Sequence, residues 1–352
     1  MRRVLSSRRC AAEWGGSCCS STSEYQAAAR GGGKREKVVV IMGATGTGKS
    51  KLSIDLAVRM PPAEVVNSDK MQVYAGLDLT TNKITAAERC GVRHHLLGEL
   101  DPAAGELSAA GFRSLGGAAV ADIAARRRLP IVAGGSNSFI HALMVEDYRR
   151  PLSLGAPPPA PPARLRYRGC LLWVDVSAAA LYEHLDRRVE EMLAAGMFEE
   201  LAANYDPCRQ RGQGGYVGPW RAIGVPEFDR YFERFSPGAA VGGGPGAAAA
   251  YRAAVEEIKL NTRRLADVQV RKIWRLWAAG WRLRRLDATA AVAAALEGRG
   301  RADVEAAWER DVVGPSLEAV AALLQGEEET TVAAAAEEEE EEVLRPLRLR
   351  LG

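Results

Sequence analysis

The stretch "GATGTGKS", Gly43–Ser50, follows the apolar run "KVVVIM" at 37–42 and opens into "SKLSIDLAVRM" at 50–60. Its spacing, G-x-x-x-x-G-K-[ST], lets the backbone N–H groups of a glycine loop and of a helix N-terminus surround an anion. The Lys49 ammonium adds a full charge, and the Ser50 hydroxyl can hold Mg²⁺. The flanks suit this reading. "KVVVIM" is β-branched, apolar and stopped by glycine, as a buried parallel strand is. Leu52, Leu56 and Met60 recur at helical spacing, and Pro61-Pro62 ends that helix. Gly43, Ala44, Thr45, Gly46, Thr47, Gly48, Lys49 and Ser50 are therefore expected to cradle phosphate. The loop alone leaves ATPases, GTPases, small-molecule kinases and other phosphate users open.

The same logic recurs downstream. "AEVVNSD" reads as a short strand, residues 107–128 as a helix, "LPIVAGG" as a strand ending at Gly134-Gly135, and "CLLWVDV" at 170–176 as another strand. Strands alternating with helices predict an α/β fold: a P-loop, mostly parallel sheet with helices on both faces and ligands beyond the carboxyl ends of the strands. From about 178 the pattern turns helical, and the stripe Leu181, Leu185, Met192 reads as core. The expected organisation is an extension at 1–36, a P-loop core at 37–177, a smaller helical, acceptor-binding region at 178–285, and a C-terminal helix with an acidic tail at 286–352.

Composition restricts the function classes. The 352 residues hold 47 basic and 44 acidic side chains, a balance too even to imply nucleic acid or an anionic membrane. The 6 cysteines include no C-x-x-C pair, which argues against a zinc site or a disulfide framework and for a reducing compartment. No run approaches the roughly 20 apolar residues of a membrane helix. Residues 1–36 are rich in Arg and Ser and poor in acids, as an organellar transit peptide is; a disordered extension of a cytoplasmic protein is the alternative. The segments 151–164 and 236–250, rich in Pro and Gly, read as loops, and the run Glu337–Glu342 as a solvated tail.

Several further residues stand where chemistry is expected. Asp69 ends the second strand beside the loop, where a carboxylate can accept a proton or cap a turn. Gln72 can hydrogen-bond a base edge. His94 and His95 are adjacent, would face opposite ways on a strand, and read as packing. Ser136 and Ser138, in a second strand–glycine–helix turn, can cap the helix or touch ligand. Asp175 stands where a Walker B aspartate would.

Taken together, "GATGTGKSKLSIDLA", "NSDKMQVYAGLDLTTNKIT", "GVRHHLLG", "LPIVAGGSNSFIHALM", "LLWVDV", "RRVEEMLAAGMFEEL", "RAIGVPEFDRYF" and "AVEEIKLNTRRLA" resemble the isopentenyltransferase family. That family comprises plant adenylate isopentenyltransferases (cytokinin synthases) and tRNA dimethylallyltransferases. "GGSNSFIHAL" and "AIGVPEFD" are similar to the plant adenylate branch. The resemblance implies that the loop holds the diphosphate of dimethylallyl diphosphate and that a prenyl group crosses to adenine N6 of ATP or ADP, ahead of AMP. It further implies catalytic roles for Asp69, Thr45 and Lys49, with Asp69 taking the N6 proton and Thr45 touching the leaving-group bridge, and Mg²⁺ on Ser50. Gln72, Ser136, Asn137, Arg221 and Lys259 fall on the acceptor side, the last two towards its phosphates. Arg187 and Arg188 match family positions, with helix-surface pairing as the alternative. A plastid location and a monomer are expected, with no tRNA partner.

One departure stands out. In "LADVQVRKI", Asp267 and Val268 occupy positions where the family carries at least one arginine, a charge-assisted phosphate contact of about 1.5–3 kcal/mol if it meets one. Arg264 or Arg271 are the candidates to replace it. The alternatives are a tRNA dimethylallyltransferase, a P-loop small-molecule or nucleotide kinase, and a binding protein that has lost activity.

Overall fold

Along β1, Lys37–Gly43, the side chains alternate between two cores. Val39 and Ile41 enter one buried cluster with Leu52, Leu56, Leu172 and Trp308. Val38, Val40 and Met42 enter the other with Phe112, Phe139, Ile140 and Trp173. A strand covered on both faces has no solvent side, and this explains its unbroken apolar sequence.

The structure is a computed structural model and describes residues 35–60, 62–149, 164–208, 215–235 and 245–326. The expected transit peptide at 1–36 lies outside these residues except for its last two. The acidic run at 337–342 and all but Arg164 of the loop at 151–164 also lie outside them.

After β1 come helix α1 (Lys49–Arg59) and strands β2 (Ala63–Asn67) and β3 (His94–His95). Helix α2 (Ala109–Ala125), β4 (Leu129–Ala133), α3 (Asn137–Met144) and β5 (Arg168–Asp175) follow. The sheet is six-stranded in the order β3-β2-β4-β1-β5-β6, where β6 is Arg284–Asp287. Every pairing between its named strands is parallel. β1 lies between β4 and β5, so the order in which strands are added reverses across it while their direction stays the same, and the crevice beyond its carboxyl end is where such sheets bind ligands.

The helical region contains α4 (Ala178–Ala194), α5 (Met197–Ala203), α6 (Val225–Phe232) and the long α7 (Pro245–Ala278). A third cluster of Val189, Met197, Phe198, Leu201, Phe228 and Ile258 holds these four helices together. Helix α4 also reaches the first cluster through Leu181 and Leu185, and α7 reaches the second through Ile273 and Leu276. Three polar contacts join α4 to α7 at steps of four residues: Tyr182 to Asp267 at 2.6 Å, Asp186 to Arg263, and Glu190 to Lys259 at 2.6 Å. Asp267, where the sequence reading expects a basic residue, is thus a rung of this antiparallel ladder.

Two sequence expectations change. Residues 245–250 belong to α7 rather than a loop, because Pro245 suits a helix start and the alanines after it are strong helix formers. Among its described residues the C-terminal region holds three helices, α8 (Thr289–Leu296), α9 (Arg301–Trp308) and α10 (Gly314–Gln325), and β6 straddles the boundary drawn at 285/286. Between α9 and α10 the helix widens into a π turn, Glu309–Val313, with the Gly314 N–H bonded to the Glu309 carbonyl. Pro315 follows at once, and a wider turn relieves the clash its ring would make with the carbonyl four residues back.

Candidate active site

The loop Gly43–Ser50 takes its shape from glycines with little room for a side chain. Gly46 and Gly48 have φ of 83° and 91°, the left-handed region. A Cβ on Gly46 would lie 2.6 Å from Leu185 of α4. Inside the loop the Thr47 hydroxyl donates to the Ala44 carbonyl at 3.0 Å, and the Lys49 ammonium donates to the same carbonyl at 2.5 Å. Burial lowers the Lys49 ammonium to about 8, while the Asp69 carboxylate pulls the other way.

Arg188, on α4, donates to the Thr45 hydroxyl oxygen at 3.3 Å. Burial lowers its pKa too, again opposed by Asp69. Arg187 faces outward and pairs with Glu191 at 3.6 Å. Of the two arginines left open by the sequence, the structure therefore brings Arg188 to the loop and leaves Arg187 on the helix surface. Lys49, Arg188 and Asp69 form a group with one positive charge in excess.

Asp69 is fixed by its own turn. Its Oδ1 accepts the Met71 N–H at 2.9 Å, and its backbone N–H donates to Asn67 Oδ1 at 3.1 Å. Its Oδ2 lies 3.3 Å from where a Cβ on Gly135 would stand. A side chain at Gly135 would thus crowd the carboxylate.

Gln269 joins the two halves. Its Oε1 accepts the Thr45 backbone N–H at 2.7 Å, and its Nε2 donates to the Gly135 carbonyl at 3.1 Å. Its own carbonyl accepts Asn137 Nδ2 at 3.0 Å. Periodicity does not reveal the role of Gln269, since its partners lie 224 and 134 residues away.

The other expected residues divide. Ser136 makes no cap bond to α3; its hydroxyl accepts the Lys70 N–H at 2.9 Å instead. Asn137 Oδ1 is buried with no hydrogen-bond partner. Gln72 spends its amide on the Thr81 and Asn82 carbonyls, at 3.0 and 3.1 Å, and so ties down the loop after Asp69. Arg221 pairs with Glu106 at 3.0 Å, and Lys70 reaches the same carboxylate at 2.5 Å. Lys272, unmarked by the sequence reading, donates to the Ser138 hydroxyl at 3.5 Å, and burial with Lys70 nearby lowers its pKa. Lys259 is held between Glu190 and Glu256, and Glu190 raises its pKa. It stands about 15 Å along α7 from Gln269.

Three further residues have structural partners. His95 Nε2 lies 2.6 Å from Glu64, and His94 Nδ1 lies 2.9 Å from the Val92 carbonyl. Arg126 and His95 hold Glu64 down to about 2, against the effect of its burial. Asp175 does not present a free carboxylate: Arg285 of β6 pairs with it at 2.8 Å, although burial raises its pKa.

No group of three or more His, Cys, Asp or Glu suited to a metal occurs among the described residues. Ser50 is an exposed residue in the first turn of α1. One protein oxygen beside a phosphate site fits Mg²⁺, which keeps several waters and binds through substrate phosphates.

Comparison with known proteins places the chain in a family. The family model described as IPP transferase matches residues 72–160 and 145–274. An adenylate isopentenyltransferase from Humulus lupulus is 51% identical over 297 residues, 81% of this chain and 89% of the relative. "Adenylate isopentenyltransferase 1, chloroplastic" from Arabidopsis thaliana is 47% identical over 285 residues, 80% of this chain and 79% of the relative. In fold the chain is similar to a eukaryotic dimethylallyltransferase acting on tRNA, with a TM-score of 0.65 at 23% identity over 86% of this chain and 83% of that one. It is also similar to a tRNA isopentenylpyrophosphate transferase from Bacillus halodurans, with a TM-score of 0.57 at 23% identity over 81% and 98%.

Proposed function

The chain belongs to the IPP transferase family, and from that premise we propose that it moves the dimethylallyl group of dimethylallyl diphosphate to N6 of the adenine of ATP or ADP, the first step of cytokinin biosynthesis. The observation that carries this reading is the meeting of Lys49, Arg188 and Asp69 around one glycine loop. Positive charge stands in excess where an anion would depart, with a carboxylate beside it.

The chemistry divides accordingly. The allylic C–O bond breaks, its electrons leave with diphosphate, and the carbon bonds to N6. Lys49, Arg188 and the free loop N–H groups stabilise the departing charge by preorganised electrostatics. The Thr45 hydroxyl accepts from Arg188, so its own proton is available to the bridging oxygen. The Asp69 carboxylate orients the amine and takes the N6 proton. Ser50 would hold Mg²⁺, which when bound supplies further charge neutralisation on the diphosphate. Lys70, Lys272 and Arg221 supply cations on the acceptor side, with Glu106 already bridging two of them.

The test is a mass-spectrometric product assay on the full chain with Mg²⁺ and dimethylallyl diphosphate, offering ATP, ADP, AMP or tRNA separately. Prenylated ATP or ADP, absent with Asp69→Asn, is the expected outcome. Prenylated tRNA alone, or phosphoryl transfer, overturns it.

A further inference from the structure

Gly48, the residue before helix α1, has the open side of its Cα against the C-terminal helices. A Cβ there would stand 2.6 Å from Cη2 and 2.9 Å from Cζ3 of Trp308. The indole edge therefore rests on the bare Cα of the glycine that sets the left-handed turn into α1.

Trp308 is itself held from several sides. It is 5% exposed, and its Nε1–H donates to Asp55 Oδ2, on α1, at 2.8 Å. The Lys51 ammonium sits 5.0 Å from the ring centroid and pairs with Asp55 at 3.1 Å and with Glu305 of α9 at 3.0 Å. A turn lower, Arg59 pairs with Glu309 at 2.5 Å. Positions 48, 51, 55 and 59 lie on one face of α1, so the C-terminal layer grips the loop's helix along its length. The tryptophan ends α9, just before the π turn, and that turn changes the helical register immediately behind it.

We propose that Trp308 is a positioning residue for the donor diphosphate. Its ring edge fixes Gly48, and through it the Lys49 ammonium and the N–H groups of the first turn of α1, so that the C-terminal layer is part of the donor site although it touches no substrate. The inference rests on the assignment of the loop to the donor diphosphate.

The experiment uses the full chain with Trp308→Phe, Trp308→Leu and Trp308→Ala. It reads the Kd for inorganic diphosphate and the KM for dimethylallyl diphosphate and for the nucleotide separately. The alanine variant is expected to weaken diphosphate binding and raise the donor KM about tenfold, with the nucleotide KM unchanged within twofold. Phenylalanine, which keeps an edge against Gly48 but loses the bond to Asp55, should fall within threefold of the parent. Leucine should lie between them, and it carries the test if the alanine variant does not fold. An unchanged donor KM in alanine and leucine, or both KM values rising together, overturns the proposal and leaves the donor-site assignment standing. Failure of the parent chain to bind diphosphate overturns both.

Discussion

Burial holds the Lys49 ammonium at about 8, so a donor arriving as an anion meets a cation whose charge depends on pH. In the free protein Lys49 loses its proton as pH rises through about 8, and donor affinity falls above that point. Stability responds with the opposite sign. The unfolded chain keeps the lysine proton up to the ordinary value of 10.5, so between 8 and 10.5 it binds more protons than the folded one, and the strain of burying Lys49 is relieved as pH rises. The measurement is the Kd of inorganic diphosphate from pH 7 to 9, divided by that of Lys49→Arg to cancel the ligand's own ionisation. The ratio should rise about tenfold; a flat ratio overturns the assignment. Lys49 and Asp69 are legible in the sequence because each follows a strand that a local pattern announces. Gln269 and Trp308 are not, because each acts on a loop more than two hundred residues away and is placed only by tertiary packing.

The ladder between α4 and α7 belongs to the scale of elements. Its rungs fall every four residues because both helices present one side chain per turn to the other, in opposite chain directions. This gives Asp267 a physical place: its carboxylate accepts the Tyr182 hydroxyl at 2.6 Å. Of the two arginines that are candidates to replace the expected basic residue, Arg264 donates to Asn261 Oδ1 at 3.4 Å, while Arg188 on the adjoining helix reaches the loop. A double-mutant cycle of Asp186→Asn and Arg263→Gln, followed by urea unfolding, should show a coupling of about 1 kcal/mol for this half-exposed bidentate pair. Additivity within error would show the ladder to be without energetic effect. Long periodic helices and apolar strands were legible at this scale. β3 was not, since two residues carry no periodicity. The C-terminal helices among the described residues are separated at Gly298 and Gly300 and at Gly314-Pro315, breakers that alanine-rich flanks outweigh when the region is read as one helix.

At the scale of the whole molecule, one parallel sheet covered on both faces accounts for the two buried clusters, and a third cluster carries the helical region. The plastid address expected from residues 1–36 is tested by fusing them to a fluorescent reporter in plant cells. Plastid fluorescence is the expected result, and diffuse cytosolic signal overturns it. The docking of α9 on α1 also has a temporal side. Lys51 and Glu305 are 254 residues apart, so a ribosome making about 5–20 residues per second completes the loop's helix roughly 13–50 s before its partner emerges. During that interval the exposed apolar face of α1, with Leu52 and Leu56 not yet covered by Trp308 and Val312, is a surface for chaperones to shield. The nascent chain thus carries its glycine loop long before the C-terminal helices can pack against it.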